Sequence, residues 1–300
     1  MMLRLPRFDY ERPTRLDDAI GLLADRDGDS RILAGGTDLI VQMKKGVLNA
    51  DLIVDIKSIP QLAEISLDPK GNLAIGANVT LSALEGWITT ESKWAGLLMA
   101  VRTIGSEQVR NRATVAGNIC RASPSGDMAP MLMVMDAKVK IKGPNGYRAL
   151  PLDGFFAGPG QTVLSPGEIV TSILVPKPSG RFSAVYLKHG TRRAMDLAIV
   201  GTAVSISMDD SGKNVLQARI ALGAVAPTPI RVPDGERLLV QEGFSESVVR
   251  EIASMAADRS RPITDMRSTD SYRYEMVKVN VRRALGQAWA GAASRGERTS

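Results

Sequence analysis

Cysteine and histidine each occur once, as Cys120 and His189, in a chain of 300 residues. A lone cysteine excludes an internal disulfide framework and cannot hold an iron–sulfur cluster, which takes a set of cysteine thiolates, so any such cluster has to sit on another chain. Aromatic residues are scarce as well: three Trp, five Tyr and five Phe. So few rings leave little for base stacking, and the basic residues are scattered among acidic ones, so nucleic-acid binding is not expected. The net charge of +6 reads instead as solvated surface, as a face for an acidic partner, or as help in holding a phosphate-bearing ligand. No long apolar run occurs, so no membrane span is expected. Met1 to Arg7 lack the apolar stretch and small-residue cleavage site of a signal peptide, which gives the expectation of a cytoplasmic protein.

What the chain does have is a hydrophobic content of 44%, enough for substantial cores and, at this length, two domains. Thr14 with Asp17 has the form of a capping box for a helix over 16–24. Residues 31–34 read as a strand, and Thr37 is placed to cap a helix over 38–45. A strand over 51–56 follows, then a hairpin of 64–67 with 73–76 around Pro69 and Gly71. Helical patterns cover 81–89 and 94–101. The stretch 106–130, rich in Gly, Ser, Asn, Arg and Pro, reads as one long functional loop. Strands are expected at 138–142 and 168–175, a linker at 176–180, a hairpin of 198–208 with 215–222, and helices at 245–258 and 270–285. No internal repeat or low-complexity segment is evident.

Two segments carry chemistry. Gly35-Gly36-Thr37-Asp38 joins a strand to a helix, where exposed amides bind phosphate if glycines leave room for it; most Gly-Gly pairs, however, only turn the chain. The pattern is neither the G-x-G-x-x-G of a dinucleotide fold nor a P-loop. The second segment, Ala113-Thr114-Val115-Ala116-Gly117-Asn118-Ile119-Cys120 with Arg121 to Asp127 after it, offers small residues, hydroxyls and a carboxylate suited to ribose hydroxyls. Its alternative reading is an irregular surface loop in which Asp127 caps a helix starting at Met128. Cys120 fits a packing residue better than a nucleophile, and Met131, Met133 and Met135 fit core filling.

Taken together, about eighty residues apart, the two segments resemble those of the FAD-binding subunits of the xanthine dehydrogenase and carbon monoxide dehydrogenase group of molybdenum hydroxylases. Ile32-Leu33-Ala34-Gly35-Gly36-Thr37-Asp38-Leu39 is similar to that family's first pyrophosphate loop, and Ala113 to Asn118 to its second, where Gly often stands at the position of Ala116. Val109 to Arg112 and Ser123 to Pro130 also fit. The resemblance implies an α+β fold: an FAD-binding domain of the PCMH (vanillyl-alcohol-oxidase-like) type over 1–178, in two subdomains of about 1–57 and 58–178, a smaller CO-dehydrogenase-flavoprotein-like domain over 181–290, and a tail over 291–300.

It also implies non-covalent FAD held by the two loops and Cys120, with Ile104 near the flavin, Ser123 and Asp127 touching the cofactor, Val170 packing on it and Lys188 reaching it from the C-terminal domain. Arg192 to Leu197 resembles the segment beside the isoalloxazine edge. His189 lies in the wrong region for a covalent flavin link. No catalytic acid, base or nucleophile is called for, and none is identified. The implied partners are an iron–sulfur small subunit carrying [2Fe–2S] clusters and a molybdopterin large subunit, arranged as a dimer of heterotrimers, with NAD or another acceptor. Two other classes stay open: a self-sufficient flavoprotein oxidase or reductase of the same fold, and a binding or assembly protein that has lost FAD.

Overall fold

The computed structural model describes residues 4–25, 29–89, 92–192 and 194–294. The first region runs β1 (Asp9–Glu11), α1 (Leu16–Ala24), β2 (Ser30–Leu33), α2 (Leu39–Lys44) and β3 (Leu52–Asp55). These strands form a three-stranded parallel sheet with β3 in the middle. All four residues of β3 are buried, because a central parallel strand is covered on both faces. Leu52 and Val54 enter the main core with Leu16, Ala19, Ile20 and Leu23 of α1, while Ile53 joins a small separate cluster with Met43 and Ala50. Neither expected side-chain cap forms. α1 starts after Arg15 with no side-chain cap, and Asp17 pairs with Lys142 instead; α2 starts after Asp38, not Thr37, also without one.

The second region comprises the hairpin β4 (Ile65–Leu67) and β5 (Leu73–Gly76), helices α3 (Leu81–Ile88), α4 (Ala95–Arg102), α5 (Glu107–Arg110), α6 (Val115–Cys120) and α7 (Met128–Val134), then β6 (Lys138–Gly143), β7 (Gly146–Pro151), β8 (Phe156–Gly158), β9 (Gln161–Thr162) and β10 (Ile169–Val175). A five-stranded sheet has the order β4-β5-β10-β6-β7. The stretch expected to be one long loop is therefore mostly short helices. Ser106 caps α5 through Val109 N at 3.3 Å, and Thr114 caps α6 through Gly117 N at 2.9 Å. Each is the hydroxyl N-cap that a helix start requires, on a helix too short to show an amphipathic period.

The third region is a four-stranded antiparallel sheet, β11 (Arg181–His189), β12 (Val200–Met208), β13 (Val215–Gly223) and β14 (Ile230–Arg231), followed by α8 (Pro233–Glu242), α9 (Glu246–Arg259) and α10 (Asp270–Ser294). Strand β12 is buried along nearly its whole length because helices cover both faces. Val204 and Ile206 pack with α9 and α10, while Ala203 and Ala221 join the core of the preceding region. On that second face α4 and α7 lie against the sheet, and Ser205 Oγ donates to Val134 O at 2.7 Å. Helix α10 continues to Ser294, past the expected end at Leu285 and into the segment expected to be tail. Residues 295–300 and Arg193 lie outside the described residues.

Candidate cofactor site

The first loop leaves β2 at Leu33 and enters α2 at Leu39. Gly36 has φ +76°, in the left-handed region that favours glycine. Gly35 is crowded rather than twisted: a Cβ there would sit 2.1 Å from the carbonyl oxygen of Arg112. The glycine pair thus lets the backbones of the two sequence segments touch. Beneath the loop, Lys57 ion-pairs with buried Asp55 at 2.8 Å and its Nζ approaches Ala34 O at 3.4 Å. Burial works to raise the Asp55 carboxyl, but hydrogen bonds from Lys57 and Tyr10 win and hold it below the usual carboxylate range.

The second segment is pinned where Leu81 N donates to Ala113 O at 2.8 Å. Between the two segments lies a cleft of about 380 Å³. One wall is Ile32, Ala34, Gly35, Gly36, Thr37, Asp38 and Leu39; the other is Ala113, Thr114, Ala116, Gly117, Asn118 and Cys120. Ile104, Ile169 and Val170 complete it. Opposite β6, β10 carries Thr171 as an extra residue between Val170 and Ser172, a bulge beside the cleft of the kind that redirects strand side chains near functional sites.

Four expected residues do not line the cleft. Leu33 packs on the small cluster around Met43, and Ser123 Oγ faces Ser125 N at 3.4 Å. Asp127 and Lys188 meet each other at the seam with the third region. Lys188 Nζ donates to Asp127 Oδ2 at 2.9 Å, to Thr103 O at 3.0 Å and to Asp196 O at 2.7 Å, so all three of its donors are spent on protein. Tyr186 Oη donates to Asp127 Oδ1 at 2.7 Å. Asp127 sits at the N-cap position of α7, yet its side chain makes no cap bond, which overturns the helix-cap reading. Burial raises its carboxyl above the usual range against the opposing pull of Lys188 and Tyr186, and burial next to Asp127 lifts the Tyr186 phenol well above its ordinary value.

Sequence reasoning missed Arg31, Gln42, Leu48, Ile56, Ala77, Val109, Arg121, Gly160, Leu164 and Ile169 as cleft residues. Arg121 directly follows the second motif, Val109 opens a segment that also fits the resemblance, and Pro159-Gly160 is a turn signal; the others carried no mark. The cleft suits a ligand with a flat apolar body and a polar chain. Ile32, Ile56, Ile104, Ile169 and Val170 supply apolar wall, while the glycines supply a narrow backbone-lined neck. Asn118 lines it with a buried Oδ1 that has no hydrogen-bond partner, an acceptor awaiting a donor. Desolvation pushes the Cys120 thiol up to about 12, which favours its protonated form in the cleft wall.

Residues 6–178 match the family model described as the FAD binding domain in molybdopterin dehydrogenase, and residues 185–288 match the CO dehydrogenase flavoprotein C-terminal domain. The chain belongs to this family of FAD-binding medium subunits. It is 33% identical to the xanthine dehydrogenase FAD-binding subunit of Escherichia coli O157:H7, over 94% of this chain and 96% of that one. Identity to the carbon monoxide dehydrogenase medium chain of Hydrogenophaga pseudoflava is 34%, over 96% and 99% respectively. Among solved structures, a carbon monoxide dehydrogenase chain from the same organism superposes with a TM-score of 0.92 at 33% identity, covering 96% of this chain and 99% of that one. Quinoline 2-oxidoreductase from Pseudomonas putida 86 gives 0.89 at 28% identity, covering 97% and 99%. The fold is thus the α+β pairing of an FAD-binding domain with a CO-dehydrogenase-flavoprotein C-terminal domain. Among the described residues no helix is long and apolar enough to cross a membrane.

Proposed function

We propose that this medium subunit holds FAD non-covalently in the cleft between Gly35-Gly36 and Ala113–Cys120, and that it works in the cytoplasm within a larger assembly. Bound flavin supplies the redox chemistry, exchanging electrons with [2Fe–2S] clusters on a small partner subunit and with NAD or another acceptor, while substrate is oxidised at a molybdenum cofactor on a large partner subunit. The chain's own residues bind, orient and exclude water. Gly35 and Gly36 keep the neck open to a diphosphate, Thr114 fixes the second segment by capping α6, and Ile104, Ile169 and Val170 offer apolar surface to the ring. By the family resemblance Ser123 and Asp127 touch the cofactor and Lys188 reaches it, with Thr103 O and Ile104 linking the Lys188 cluster to the cleft wall. A dimer of heterotrimers is the assembly proposed.

The observation that carries the reading is the convergence of two sequence-distant loops on one cleft whose neck is backbone. The test is expression of the chain alone, which should give a yellow protein with an FAD spectrum that does not oxidise substrate until iron–sulfur and molybdenum subunits are added. Robust turnover by the isolated chain overturns the subunit reading in favour of a self-sufficient flavoenzyme.

A further inference from the structure

The cleft carries one cation whose present partner holds it weakly. Arg121 follows the last residue of α6 and lines the cleft, between the first loop and the β8–β9 turn. Its Nε is 3.7 Å from Asp38 Oδ1 of the first loop, beyond hydrogen-bond distance, and the two side chains are 38% and 62% exposed. An exposed pair at that separation contributes little. On the other side its Nη1 lies 3.4 Å from where a Cβ of Gly160 would be, so the β8–β9 turn closes down on the guanidinium. Gly160 N donates to Ala122 O at 2.8 Å, which ties that turn to the residue after Arg121. Among the described residues Asp38 is the only charged partner of this guanidinium.

Arg31, the other basic residue of the cleft wall, donates to Ser30 O at 2.9 Å. Among the described residues Asp38 is the only acidic one of the wall, and it stands beside the glycine neck where a dianionic chain would pass. A carboxylate there repels such a chain; an arginine pairs with it through two parallel hydrogen bonds, a stronger contact than the one Arg121 now makes.

We propose that Arg121 is a diphosphate-binding residue of this site, and that Asp38 holds it in place in the free protein and competes with the cofactor for it. The proposal rests on the reading of the cleft as an FAD site. Arg121 gives up an exposed, poorly aligned partner and takes a bidentate anion, while the β8–β9 turn stays packed beside its guanidinium.

The test measures dissociation constants of the full-length chain, freed of flavin, for FAD, ADP and riboflavin by calorimetry and flavin fluorescence. Arg121→Gln should weaken FAD and ADP by on the order of 10- to 100-fold and leave riboflavin, which has no diphosphate, unchanged. The wild-type FAD affinity should fall with added salt, and that of the variant should fall less steeply. Asp38→Asn should shift the other way, tightening FAD and ADP several-fold, which a merely structural role for the pair does not produce. Arg121→Lys should recover part of the loss, and circular dichroism on each variant confirms folding. Equal FAD affinity in wild type and Arg121→Gln, or an equal loss of riboflavin, overturns the proposal while leaving the FAD site standing. A wild-type chain that takes up no FAD overturns both.

Discussion

Between the two glycine loops the cleft is walled by backbone and small side chains, whereas the seam with the C-terminal sheet, a few residues away through Thr103 and Ile104, is closed by ions. At the neck the decisive feature is a missing atom: the Cβ that Gly35 lacks would be 2.1 Å from Arg112 O. At the seam the decisive feature is added charge, with Lys188 and Asp127 side chains only 10% and 8% exposed and every ammonium proton of Lys188 assigned. The difference teaches where each can fail. A neck made of backbone tolerates no added volume, while a seam made of paired charges tolerates replacement of both partners but not removal of one.

The largest effect is expected at the seam. Lys188→Met strands the Asp127 carboxylate in a buried site without its cation, and urea unfolding should show a loss of about 3–5 kcal/mol. The double variant Lys188→Met with Asp127→Asn should regain much of that, because neither charge is then left alone. A single variant as stable as the wild type breaks the comparison by showing that the seam does not depend on the pair. Flavin affinity of the stable double variant then separates a structural seam from one that also touches the cofactor. The neck comes next. Gly35→Ala should cost about 1–3 kcal/mol by overpacking against the Arg112 carbonyl and should lower FAD occupancy, since the two loops must separate to admit the methyl group. Full occupancy of an equally stable Gly35→Ala chain means that the loops do not need to touch.

The neck was legible in the sequence and the seam was not, for reasons particular residues make plain. Gly35-Gly36 between a strand and a helix announces close approach, but nothing in it says that Arg112 is what approaches. Thr114 and Ser106 are N-cap residues, yet α5 and α6 span four and six residues, too short for hydrophobic periodicity to show, so the stretch reads as loop. Strand β11 escaped notice although it carries Tyr186 and Lys188, because polar residues interrupt its apolar ones and the sheet partner that makes it a strand is β12. Helix α8 was hidden by Pro233 and Gly235. The proline is in the first turn, where it starts a helix, and the glycine is where Ile252 of α9 comes within 2.9 Å of a would-be Cβ. Asp127 was singled out in the sequence, but its partners come from a strand 59 and 61 residues away, beyond any local pattern.

The smallest effect is expected at Cys120, the only thiol among the described residues of the cleft wall. Its thiol belongs to the small-residue vocabulary of the neck and takes no part in the chemistry of charge that runs the seam. Desolvation raises its pKa to about 12; a raised thiol pKa leaves the neutral form dominant at every pH below that value, so thiolate at neutral pH is negligible. Alkylation by iodoacetamide of the native chain should therefore be slow at pH 7 to 9 and rise only as the pH nears the unfolding range, while urea-unfolded chain should react as an ordinary cysteine. Cys120→Ala removes one sulfur from a half-buried position without adding volume or leaving a charge, so stability should fall by about 1 kcal/mol or less and the flavin should stay bound. Denaturing the wild-type chain should release all of its flavin to the supernatant. Flavin that stays with the polypeptide after denaturation, and is freed by Cys120→Ala, would reverse this assignment and make the thiol a covalent anchor in a cleft otherwise built from atoms that do not react.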